Sequence, residues 1–109
     1  ALRLLVRSGF SARALQEELE LRAELVSWCT AVDPRIAVAK TLADAESGGN
    51  GTPHAAAYRR LVQELLTLLG TREDLSSVLD KRYPYCMQLQ RLSAAELRDC
   101  AFALARKLN

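Results

Sequence analysis

The chain has 109 residues, of which 50% are hydrophobic and 26% charged, and its formal net charge is +2. That balance excludes a disordered segment, and charges interrupt every apolar run well short of the roughly 20 residues that a membrane-spanning helix needs. A folded chain of this size buries about 65% of its unfolded surface, enough for one core without disulfide or metal staples.

The predicted elements are all helical. Leu2, Leu4, Leu5 and Val6 give a short amphipathic segment that ends at Gly9. Because the chain starts inside this pattern, at Ala1, the domain is expected to be one piece of a longer protein. The same ten residues are too short and too charged for the apolar core of a signal peptide. Ser11 is placed to cap a long helix over 12–31. Asp33-Pro34 sets a capping side chain before a proline at the first helical position, and this device opens a helix that carries Ile36, Ala39, Leu42 and Ala43. The stretch "SGGNGTP" stops that helix and gives a flexible loop over 47–52. Thr52-Pro53 repeats the device and starts a helix to Leu69, with Gly70 placed to end it. Thr71 with Asp74 predicts a further helix to about Arg82, and a short turn follows over 85–91. Ser93 and Glu96 form a capping box that opens the last helix, to Leu108.

No stretch alternates polar and apolar residues between turns, and no repeat of solenoid period occurs. The expected fold is therefore all-α, a compact bundle of six or seven helices in a single domain over 1–109. On the helix over 53–69 the apolar residues fall within an arc of about 160°, so it should bury one side. On the long helix, Leu15, Leu19, Leu21, Leu25, Val26, Trp28, Cys29 and Val32 spread over more than half the circumference. A stripe that wide predicts neighbours on two sides and puts this helix at the centre of the bundle.

Three groups of residues stand out. Glu18 and Arg22 sit inside the apolar arc of the long helix, acid first and four apart, the favourable order for a helical ion pair. A half-exposed salt bridge ranks ahead of a charged docking notch for this pair. Phe102 points about 140° from the apolar stripe of the last helix, with Arg98, Asp99 and Arg106 at helical-neighbour spacing. An aromatic among arginines has the composition of an interface hot spot, and core covered by another segment is the competing reading. The third group is "KRYPYCM", residues 81–87. Pro84 disfavours helix at the residue before it, so the chain should turn here and pack Tyr83 and Tyr85 at a corner. A recognition surface comes second.

Catalytic chemistry has little support. His54 is the lone histidine, and no motif brings Cys29, Cys86 or Cys100 to it for nucleophilic catalysis. The three cysteines are odd in number and widely spaced, which reads as reduced core thiols in an intracellular protein, cytoplasmic or nuclear. No Cys-x₂₋₄-Cys pair for zinc, no phosphate-binding loop and no dinucleotide fingerprint occur. No catalytic, cofactor-binding or metal-binding residue is therefore expected, and the chain reads as a non-enzyme.

Charge divides unevenly, with six Lys/Arg against seven Asp/Glu in 1–52 and nine against six in 53–109. A strip of Arg59, Arg60, Lys81 and Arg82, with Arg91, Arg98 and Arg106 beyond, could hold phosphates while Tyr83 or Tyr85 stacks on a base. The interleaved acids argue against the dense basic face of a nucleic-acid module. The expected function is an interaction module, adaptor or regulatory, that binds a helix or peptide segment of another protein. The candidate contact residues are Phe102, Arg98, Arg106, Glu18, Arg22, Tyr83, Tyr85, Lys81 and Arg82. Nucleic-acid binding through the basic strip and homodimerisation are the alternatives.

Overall fold

Residues 11–47 and 52–108 are described by the structure, a computed structural model. The expected helix before Gly9 and most of the expected loop over 47–52 lie outside the described residues. Five α-helices follow in order: α1 (Ala12–Thr30), α2 (Pro34–Ser47), α3 (Pro53–Thr71), α4 (Tyr85–Leu89) and α5 (Ala94–Leu108). A 3₁₀ turn over Ser76–Val78 lies between α3 and α4, and there is no strand among the described residues. The all-α expectation holds, while the count of six or seven helices is too high for the described residues.

The caps form where local chemistry dictates. The Ser11 hydroxyl accepts from the Ala14 amide at 3.1 Å, and Thr52 accepts from Ala55 at 3.1 Å ahead of Pro53. Ser93 and Glu96 close a reciprocal box, with the Ser93 amide donating to Glu96 at 2.8 Å and the Glu96 amide donating to Ser93 Oγ at 3.1 Å. Asp33 accepts from the Arg35 amide at 3.0 Å as α2 begins.

The helix expected over 71–82 does not form. Thr71 ends α3 instead of capping a new helix, and its hydroxyl donates back to the Leu68 carbonyl at 2.8 Å. Asp74 is engaged by the Arg72 guanidinium at 2.9 Å. Side chains that bond locally offer the backbone an alternative to the helical ladder, and here they leave a single 3₁₀ turn that buries Leu75 and Val78.

The centre of the bundle is α3, not the long helix over 12–31. Ala55, Ala57, Tyr58, Leu61, Val62, Leu65 and Leu69 of α3 are all buried, and the helix packs against α1, α2, α5 and the 3₁₀ turn. On α1 the buried residues are Leu21, Leu25 and Trp28, while Leu19 and Val26 stand in solvent. The wide apolar stripe of α1 thus faces partly outward. A stripe's width counts apolar residues and says nothing of how many faces are covered.

One buried polar network ties α1, α2 and α3 together. The Trp28 indole donates to the Thr41 hydroxyl at 2.8 Å, and Thr41 donates to Glu24 at 2.7 Å. Burial first, then hydrogen bonding to Glu24 and the negative charges of Glu24, Asp44 and Glu20, push the Tyr58 phenol well above its ordinary value. The fold therefore favours the neutral phenol. That contribution to stability is whole below about pH 10, where the unfolded phenol keeps its proton, and is lost as the pH rises toward the folded value. Urea midpoints of the wild type should fall as the pH rises from about 10 to about 11.5. Tyr58→Phe should cost about 1.5 kcal/mol at neutral pH and show a smaller alkaline fall. An equal fall in both proteins would mean that Tyr58 does not carry the effect.

Candidate functional site

The stretch between the 3₁₀ turn and α4 is held in one shape by a buried glutamine. Gln88, only 4% exposed, accepts from the Asp80 amide at 3.1 Å and donates to the Tyr83 carbonyl at 2.6 Å. Its side chain thus joins both arms of the corner. Pro84, which has no amide hydrogen, serves as an acceptor: its carbonyl takes the Met87 amide at 3.0 Å and the Gln88 amide at 3.1 Å, starting α4. Arg82 grips Asp80 with two guanidinium nitrogens, at 3.0 and 2.8 Å, and its guanidinium carbon lies 5.8 Å from the centre of the Tyr83 ring. These Arg82 hydrogen bonds hold the Asp80 carboxyl below the usual carboxylate range.

Fixed in this way, Tyr83 and Tyr85 remain 47% and 43% exposed. With Pro84 and Lys81 they form one wall of a cleft of about 610 Å³. Glu46 at the end of α2 and Gln63, Leu66 and Thr67 of α3 line it too, and Leu79 and Gln88 complete the lining. A second hollow of about 370 Å³ lies between α2 and α3, lined by Leu42, Ala45, Arg59 and Val62. Glu46, Gln63 and Tyr85 line both, so the two are lobes of one groove. The corner expected from the sequence is present, and it is also a wall of this cleft.

The other sequence candidates are placed differently. Glu18 is a junction inside the molecule: it pairs with Arg22, 3.6 Å away on the same helix, and with Arg60 of α3. Arg22 also donates to the Leu108 carbonyl at 3.2 Å. Arg98 donates to the Cys29 carbonyl at 2.7 Å and to the Ala31 carbonyl, closing the C-terminal end of α1. Phe102 is 46% exposed and Arg106 is exposed on the same helix. The structure therefore leaves Phe102 open while it commits Arg98 to the fold. Of the basic strip, Arg60 and Arg82 are each paired with a carboxylate and Arg59 reaches the Ala45 carbonyl at 3.5 Å. Only Lys81 of that set joins the tyrosines in the larger lobe.

Cys29 and Cys100 are free thiols, and burial raises both above the ordinary thiol value, which opposes nucleophilic use. The side chain of Cys86 lies outside the described set. His54 meets Glu20 at 3.1 Å, with its ring centroid 4.1 Å from that of Tyr58. Among the described residues no three His, Cys, Asp or Glu side chains are grouped to hold a metal ion, and no helix is long and apolar enough to cross a membrane.

No family model, no curated protein and no solved structure matches the chain.

What the groove can do follows from its own chemistry. Its apolar floor, aromatic wall and polar rim can bury part of a ligand and bond its polar groups. The partners of the tyrosines were not legible in sequence: Glu46, Gln63 and Thr67 lie on exposed helix positions, and their convergence on the corner is a long-range event. Gln88 carried no local signal either.

Proposed function

We propose that this domain binds a segment of a partner protein in the groove between α2, α3 and the tyrosine corner. The observation that carries this is the half-exposed pair Tyr83 and Tyr85, on a corner that Gln88 ties through the Asp80 amide and the Tyr83 carbonyl, beside the apolar Leu66 and Leu79. Tyrosine is enriched among the residues that dominate binding energy, and anchors fixed before binding lose little entropy on contact. The rim residues Glu46, Gln63, Thr67 and Lys81 are exposed, so the groove opens to solvent along its length. A chain segment suits that shape better than a small molecule, which needs most of its surface enclosed. The reduced thiols Cys29 and Cys100 fit work in a reducing, intracellular compartment.

A displayed random-peptide library tests the reading. Peptides enriched on the wild type should lose at least tenfold in affinity on Tyr85→Ala, a change above the usual hot-spot threshold of about 1 kcal/mol. Phe102→Ala removes an exposed ring from α5 and should leave both the fold and peptide affinity nearly unchanged, with a stability change within about 0.5 kcal/mol. Enriched peptides that ignore Tyr85 but depend on Phe102 would move the docking surface to α5, where Phe102 is exposed.

A further inference from the structure

We infer that two copies of this chain associate through the outer face of α1 and α5, with the two α5 helices antiparallel across a two-fold axis beside Phe102. The face is a seam between two helices. Arg98, near the start of α5, reaches the Cys29 and Ala31 carbonyls at the end of α1. Arg22 of α1 reaches the Leu108 carbonyl at the end of α5, so the helices lie side by side in opposite directions. Val26 and Phe102 stand exposed between these two ties. Each follows its helix's tying arginine by four residues and is turned about 40° further from the buried stripe. The two side chains therefore flank one seam, which Leu19 on α1 and Val32 beyond its end extend, both exposed.

The charges on α5 choose the occupant. Asp99 and Arg106 are exposed, three residues before and four after Phe102, so all three share a face. Seven residues separate the two charges, about 10 Å along the axis, too far for them to pair with each other. Neither has an opposite charge three or four residues away on α5. Among the described residues neither enters an ion pair. Asp99 adds to the field at Arg72, but that guanidinium is already paired with Asp74. A second copy supplies what each lacks. When two α5 helices pair antiparallel about a point between Phe102 and Ala103, Asp99 of one copy meets Arg106 of the other, and the symmetry repeats the pair.

A surface with an acid and a base at equal distances from its centre is complementary to itself, which is what a two-fold interface requires. Parallel pairing sets Asp99 against Asp99 and is opposed by like charge. The antiparallel register also brings the two Phe102 rings together beside the axis, next to Val26, and buries apolar surface that a single copy leaves in water. No residue of α1 or α5 lines the groove. The dimer therefore keeps two open grooves, and a partner carrying two segments gains avidity from it.

Sedimentation velocity of the 109-residue chain, at loading concentrations spanning about a hundredfold, tests this. Four apolar side chains per copy make a small patch beside the roughly 1,600 Å² of a standard interface, so the chain should be monomeric when dilute and approach a dimer at the highest loading. Phe102→Ala should weaken self-association at least tenfold with an unchanged helical circular-dichroism spectrum. Asp99→Arg and Arg106→Asp should each stay monomeric alone. Mixed in equal amounts they should form a heterodimer, because each reversed charge then faces its opposite. Tyr85→Ala should leave self-association unchanged, which keeps this result separate from docking in the groove. A wild type that stays monomeric at every loading would overturn the inference. Association that survives Phe102→Ala or both single charge reversals would overturn it too, as would a mixture of the reversals that stays monomeric.

Discussion

Trp28→Ala is expected to cost about 4 kcal/mol of folding stability, the usual range for emptying a buried tryptophan site. Trp28 is 1% exposed and sits in the core cluster with Leu21, Leu25, Leu61 and Leu65. The substitution also takes the indole donor from Thr41, which is itself fully buried. A domain of this length has about 5–15 kcal/mol in total, so the variant should lose between about a quarter and about four-fifths of its stability. Urea denaturation followed by circular dichroism gives the value. Trp28→Phe separates the two contributions. It keeps most of the bulk and loses the N–H, while Thr41 can still donate to Glu24, and its cost should be about 2 kcal/mol. A loss below about 1 kcal/mol for Trp28→Ala would mean that α1 is not anchored through this residue.

Arg98→Ala is expected to cost about 2 kcal/mol, a large effect for a partly exposed residue. The last carbonyls of a helix lack intrahelical partners and carry the negative end of its dipole. At the end of α1, the carbonyls of Cys29 and Ala31 receive the Arg98 guanidinium, and Val32 lies at the margin of reach at 3.4 Å. Removing that group leaves them to water and unties α1 from α5. Arg98→Lys keeps the charge without the planar fork and should recover less than half of the loss. Thermal unfolding of the three proteins supplies the comparison. If Arg98→Ala is neutral in stability but weakens peptide binding, Arg98 belongs with Phe102 at an interface.

The parts of this fold that could be read from the sequence are those whose causes are local. Ser11, Thr52 with Pro53, and the Ser93–Glu96 box each act within four residues, and each cap forms as expected. The corner at Pro84 is equally local, since the proline ring disfavours helix at Tyr83 and α4 starts just after it. What could not be read depends on which surfaces meet. The breadth of apolar residues on α1 suggested neighbours on two sides, and α1 does meet α2, α3 and α5, yet Leu19 and Val26 face solvent and α3 takes the centre. Apolar composition records what could be buried, and the approach of other helices decides what is. The failed helix over 71–82 shows the limit at shorter range. Asp74 had the spacing of a capping partner for Thr71, but Arg72 lay nearer and engaged it.

The candidate residues divide along the same line. Glu18 and Arg22 form the expected helical pair, but Arg60 joins them from α3 and the Leu108 carbonyl from α5, contacts 42 and 86 residues away in sequence. A notch in one helix is therefore an internal junction of three. Tyr83 and Tyr85 made the opposite passage. A corner seen in isolation became one wall of a groove once α2 and α3 supplied Glu46, Gln63 and Thr67.

Amide chemical shifts recorded while a library-selected peptide is titrated into the isotope-labelled chain test docking at the tyrosine corner most directly. Changes are expected at 42–46, 59–67 and 79–88, the three stretches that line the groove, with 98–106 left in place. Changes concentrated at 98–106, with the tyrosine corner silent, would contradict docking in the groove and put the partner on α5.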